Sequence, residues 1–197
     1  MTLSRDDQRL LLDLARSAIE AHLAERPAPE RAPSPALQQR CGAFVTLSRR
    51  EDGELRGCVG YVEPILPLAE TVARAAVAAA VHDGRFAPVT LAELPQLSLD
   101  ISALSPTSRV RAEEIEVGTH GLMIHCAGRS GVLLPHVAVE QGWDRQEFLI
   151  HICRKAGLPS DAWKMPDAEL LVFTALVFGE QGGAASRPPE PPSRSPK

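Results

Sequence analysis

The sequence predicts an α+β fold, a mostly antiparallel sheet with flanking helices, and three observations carry that prediction. Segments of period two, such as LSLDISALS, read as strands. Two stretches, CGAFVTLSRREDGELRGCVGY and GLMIHCAGRSGVLLP, read as hairpins. Between and before them run amphipathic segments of helical period, and hairpins interspersed with such helices belong to the α+β class.

The elements follow in order. Ser4 with Asp7 forms a capping box, and Leu11, Leu14, Ala15, Ala18, Ile19 and Leu23 recur at helical spacing behind it, so residues 1–24 hold an amphipathic helix. Residues 25–36 are a linker, because RPAPERAPSP carries four prolines in ten residues and cannot continue a helix. Asp52-Gly53 suits the positive φ angles of a tight hairpin turn and makes ELRGCVGY the return strand. Residues 64–82 are an alanine-rich helix with Leu68, Val72, Ala75, Ala76 and Ala79 on one side, closing at Asp83-Gly84. After a short capped turn at 90–94, LSLDISALS is a half-buried strand. GLMIHC and GVLLP pair around AGRS. Asp144 with Glu147 caps DRQEFLIHICRKAGL, which Gly157 ends. ELLVFTALVF, apolar on both faces, is a single central strand, and residues 181–197 are expected to be disordered.

Composition bounds the function. The 197 residues and 44% hydrophobic content suffice for one domain or two subdomains sharing a core. No apolar run approaches the roughly 20 residues of a membrane span, and MTLSRDDQRL is too polar for a signal peptide, so the expected location is cytoplasmic. The net charge of −4 is a poor footprint for nucleic acid. Cys41, Cys58, Cys126 and Cys153 are far apart and the six histidines lack ligand spacing, which predicts reduced thiols, no metal and no cofactor.

ELRGCVGY raises the sharpest question. On a regular strand Arg56 and Cys58 share a face while Gly57 leaves the other bare. A guanidinium beside a thiol favours the thiolate, which makes Cys58 a candidate nucleophile. The same residues more readily describe a packing device, with Cys58 a small buried hydrophobe and Gly57 and Gly60 admitting a bulge or a close helix. A third reading is an anion cradle, with Arg85 of the following DGRF as a second guanidinium or, alternatively, as partner of a nearby acid. His136, after LLP, stands where a general base could act, against the commoner structural histidine.

LRGCVG, PLAETV, DGRFAPVTLAEL, DISALSP, GLMIH, GVLLPHVAVEQGW, KAGL and FTALVFGE, in that order over about 10–180, resemble the AMMECR domain family. The resemblance implies a single α+β domain of two subdomains with a groove between them. It also implies an association with Memo-like and radical SAM proteins, since prokaryotic relatives are known as protein A of the AmmeMemoRadiSam system. Gly84 stands where the family often has proline, and His136 where glutamine is usual. Two functions remain open at this stage. One is a small-molecule-handling component with an anion-accepting groove around Arg56, Cys58 and Arg85, where Gly57, Gly60 and His136 also line the site. The other is a non-catalytic interaction module in which LRGCVG is structural.

Overall fold

The computed structural model describes residues 2–27 and 34–180. Most of the proline-rich linker and the C-terminal tail thus lie outside the described residues. The fold is α+β, with two four-stranded sheets and two compact units: among the described residues, 2–27 and 34–104 with 176–180, and 105–175.

The first unit opens with α1 (Arg5–Leu23), started by the reciprocal Ser4/Asp7 box and burying Leu11, Ala15, Ala18 and Ile19. Its sheet runs in the order β2 (Leu55–Tyr61), β1 (Ala43–Arg49), β3 (Leu97–Leu104), β8 (Ala175–Gly179). Ala43, Val45 and Leu47 of β1 join Leu97, Leu99, Ile101 and Ala103 of β3 in one core with α1 and α2 (Leu68–Val81). The alanines of α2 let its backbone come very close to β2. A Cβ added at Gly57 would sit 2.1 Å from the Ala79 carbonyl oxygen, so this position accepts only glycine.

Several expectations change here. The β1–β2 connection is not a two-residue turn but the loop 50–54, in which Gly53 alone takes positive φ, 74°. The strand is not regular at Arg56 either: register passes from Leu47↔Gly57 to Ser48↔Leu55, leaving Arg56 in a bulge. Helix α2 starts at Leu68, behind Pro67, rather than at 64, and ends without a left-handed Gly84. Strand β3 is central, between β1 and β8, and it is buried along its whole length, its polar residues Ser98, Asp100 and Ser102 included.

The second unit carries the sheet β4 (Ser108–Arg109), β7 (Glu169–Phe173), β5 (Gly121–Cys126), β6 (Arg129–Leu133). Strands β5 and β6 meet at Ala127 and Gly128, both at positive φ, the geometry of a two-residue hairpin. Helix α4 (Arg145–Lys155) starts at the Asp144/Glu147 box, and Gly157 follows it at φ 69°. It buries Phe148, Leu149, Ile152 and Cys153. The short helix α3 (Pro135–Glu140) has no counterpart in the sequence reading. ELLVFTALVF is two strands rather than one: it breaks at Thr174, giving β7 to this sheet and β8 to the edge of the other.

Candidate functional site

Most of the residues singled out in ELRGCVGY and DGRF meet at the outer edge of β2. Because β2 is an edge strand, the amide of Cys58 points away from β1 and needs a partner outside the ladder. Asp83 supplies it: its Oδ2 accepts the Cys58 N–H at 2.9 Å. The adjoining carbonyl of Cys58 accepts from Arg85 Nη2 at 3.4 Å. Arg85 in turn grips Asp83 with Nε at 2.9 Å and Nη2 at 2.6 Å. The pair offers the strand an acceptor and a donor side by side, as a neighbouring strand would.

Arg56 leaves the bulge to pair with Glu93, at 2.6 Å from Nε and 3.1 Å from Nη2. It is only 8% exposed, and its third nitrogen, Nη1, is buried with no hydrogen-bond partner among the described residues. Phe86 brings the two arginines to one ring, with Cζ of Arg56 5.9 Å and Cζ of Arg85 5.4 Å from its centroid. The cluster therefore gathers two guanidiniums and two carboxylates, and its formal charges cancel.

The thiol of Cys58 lies on the face shared with Thr46, which donates Oγ1–H to the sulfur at 3.3 Å. Burial pushes the Cys58 thiol up, against the opposing pull of the Thr46 bond and the Arg85 charge. Burial thus works against the thiolate that the neighbouring guanidinium favours. The bond from Arg85, with smaller help from the amides, holds Asp83 down to about 2. Cys58 is nonetheless half-buried, whereas Cys41, Cys126 and Cys153 are buried.

The two glycines of the motif face neighbours. Gly57 abuts α2, and a Cβ at Gly60 would fall 2.3 Å from the Phe44 ring. His136 does not join this cluster within the first unit; it belongs to the second, on α3, half-buried, with burial holding its pKa down. Among the described residues no three His, Cys, Asp or Glu side chains are gathered so as to hold a metal ion. No helix of the described residues is long and apolar enough to cross a membrane.

Asp83, Glu93, Thr46 and Phe86 were not singled out from sequence. Asp83 and Phe86 flank Arg85 in DGRF, so local spacing offered a signal. Thr46 follows only from the register Thr46↔Cys58, and Glu93 only from the tertiary turn that returns it to Arg56.

An α+β chain of two sheets with LRGCVG on an edge strand, locked by DGRF, defines a recognisable class of protein. The chain belongs to the AMMECR1 family, whose model matches residues 12–178. It is 43% identical over 188 residues to Protein MK0488 of Methanopyrus kandleri, covering 91% of each chain. It is likewise 43% identical over 183 residues to Protein TK0174 of Thermococcus kodakarensis, covering 87% of this chain and 89% of that one. The crystal structure of uncharacterized protein PH0010 from Pyrococcus horikoshii matches with a TM-score of 0.82 at 39% identity, over 91% of this chain and 94% of that chain.

Proposed function

We propose that this AMMECR1 family protein handles a small anionic molecule at the cluster of Arg56, Cys58 and Arg85, acting beside Memo-like and radical SAM proteins. The observation that carries the reading is the orphan Nη1 of Arg56. A buried guanidinium N–H without an acceptor costs the full desolvation of that group, on the order of 1–3 kcal/mol, and a bound acceptor would remove that cost. Arg85, 28% exposed at its side chain, adds a second donor group from the other side of Phe86. Since Glu93 and Asp83 already balance the arginine charges, the fitting ligand is a compact group with one or two acceptor oxygens, such as a carboxylate. Cys58, whose thiol burial pushes up, stands beside it as a neighbour of the ligand.

A non-catalytic interaction module is the second reading. It draws on Gly57, whose identity the packing of α2 explains by itself, and on the fact that both arginines hold carboxylates.

Amide NMR during titration with sodium acetate, succinate and phosphate, against sodium chloride at equal ionic strength, separates the two. Saturable shifts at 56–60 and 85–86, lost in Arg56→Lys and in Arg85→Gln, are expected from the ligand site. Shifts that merely follow ionic strength leave the interaction module as the better reading. Co-elution with the purified Memo-like and radical SAM proteins tests the partnership; separate elution removes it.

A further inference from the structure

The second unit carries an open cleft, a cavity of about 600 Å³ at its surface, lined by Ala112, Glu113, Asp144, Arg145, Gln146, Trp163 and Lys164. Its size falls inside the roughly 300–1,000 Å³ usual for small-ligand sites. Four of these side chains decide what it suits. Trp163 packs one part of its indole on the core of this unit and still reaches the cavity wall. The Lys164 ammonium lies 4.9 Å from the indole centroid. Arg145 spends Nε on the Ile115 carbonyl at 2.8 Å, which fixes the side chain while leaving its terminal nitrogens to the cavity. The carboxylates nearby are engaged: Glu113 with Arg111 at 3.3 Å, and Asp144 with the Glu147 amide at 2.8 Å. Among the described residues no carboxylate pairs with Arg145 or Lys164.

From this juxtaposition of an indole wall and two cations that pair with no carboxylate among the described residues, we propose that the cavity binds a small anion carrying a flat unsaturated ring. The ring lies against Trp163, where stacking needs no hydrogen-bond match, and its anionic substituent meets Lys164 and Arg145. Gln146 contributes an amide for a further polar atom. This site stands independently of the Arg56 cluster, because none of its residues belongs to the first unit.

The anionic substituent is a carboxylate or a phosphate, and the test distinguishes them. In ¹⁵N NMR the two indole N–H signals, of Trp143 and Trp163, are assigned with Trp143→Phe. The protein is then titrated with adenosine monophosphate and with indole-3-acetate, and with adenosine, phosphate and acetate as partial probes. The expected result is a saturable shift of the Trp163 signal with one of the two ring-bearing anions, its midpoint raised at least fivefold in Lys164→Gln and in Arg145→Gln. Both substituted side chains are exposed, and an unchanged melting curve shows that each variant folds. Ringless anions give midpoints at least tenfold higher. The proposal is overturned by a Trp163 signal that saturates with neither ring-bearing anion, or by saturation that is the same in both variants. Loss of saturation with adenosine monophosphate alone assigns the carboxylate, and the reverse assigns the phosphate.

Discussion

The carboxylate of Asp83 accepts the backbone N–H of Cys58 at 2.9 Å, so the exposed edge of β2 is closed by a side chain rather than by another strand. One acidic residue thereby links the end of α2, the motif strand and Arg85.

The first prediction concerns pH. The folded-state pKa of Asp83 is depressed to about 2, so its contribution is fully present above the ordinary carboxylate range. It fades as pH falls from about 4 towards 2. Asp83→Asn should cost about 2 kcal/mol at pH 6, by loss of the charged bonds to Arg85 and of part of the amide bond. Urea midpoints of parent and variant should converge as pH drops through that window. A constant gap would show that the carboxylate charge contributes nothing.

A second prediction separates packing from recognition at Gly57. Gly57→Ala places a methyl group 2.1 Å from the Ala79 oxygen, and α2 must move to admit it. A loss of about 3 kcal/mol in unfolding free energy is expected, at the upper end of overpacking costs. Gly84→Ala is the control, since nothing lies within 4 Å of its added Cβ and its φ is not positive. It should change stability by less than about 0.5 kcal/mol.

Thiol chemistry gives a third. Cys58 should alkylate with iodoacetamide slowly at pH 7 and accelerate only above the ordinary thiol range, because burial raises its pKa. Arg85→Gln removes a charge that favours the thiolate and leaves Asp83 unpaired, which should move the profile to still higher pH. Peptide mass spectrometry distinguishes Cys58 from the three buried thiols. Rapid labelling at pH 6 would restore the nucleophile reading.

A fourth concerns Glu180, the last described residue. It takes a bidentate pair from Arg16 at 2.7 Å from each of Nε and Nη2, and a third bond from Arg50 at 2.6 Å. Arg16 also donates to the carbonyls of Leu94 and Leu97, so the network joins α1, β3 and the end of β8. Glu180→Gln should cost about 2–3 kcal/mol, since it leaves a mostly buried Arg16 without its counter-charge. Equilibrium denaturation measures it; an unchanged midpoint would show the network to be dispensable.

Where the sequence was legible, a local rule was acting on a short stretch. Ser4 with Asp7 and Asp144 with Glu147 announced both capping boxes because each is closed within one helical turn. The alternation of Leu97, Leu99 and Ile101 identified β3, but not the burial of Ser98, Asp100 and Ser102, nor its central place in the sheet, which depends on β8 arriving from the far end of the chain. ELLVFTALVF reads as one strand because apolar periodicity contains no sign that residues on either side of Thr174 serve different sheets. At the site, Arg56, Cys58 and Arg85 were visible as residue types. Their mutual neutralisation by Glu93 and Asp83 was not, since spacing along the chain does not reveal which carboxylate a guanidinium will reach.

The break at Thr174 also bears on the order of folding. Ser105 donates its N–H to the Thr174 carbonyl and accepts the Thr174 N–H on its hydroxyl, each at 2.9 Å, so the chain enters and leaves the second unit at one place. Pairing β8 with β3 means closing everything between them into a loop, at an entropic cost that a flexible segment of this length makes appreciable. Once the second unit has formed, its ends are already side by side and the remaining loop is short. The inserted unit then acts as a splint for the first: its early folding should accelerate docking of β8, and substitutions that loosen the Ser105–Thr174 clasp should slow that step more than they weaken either core.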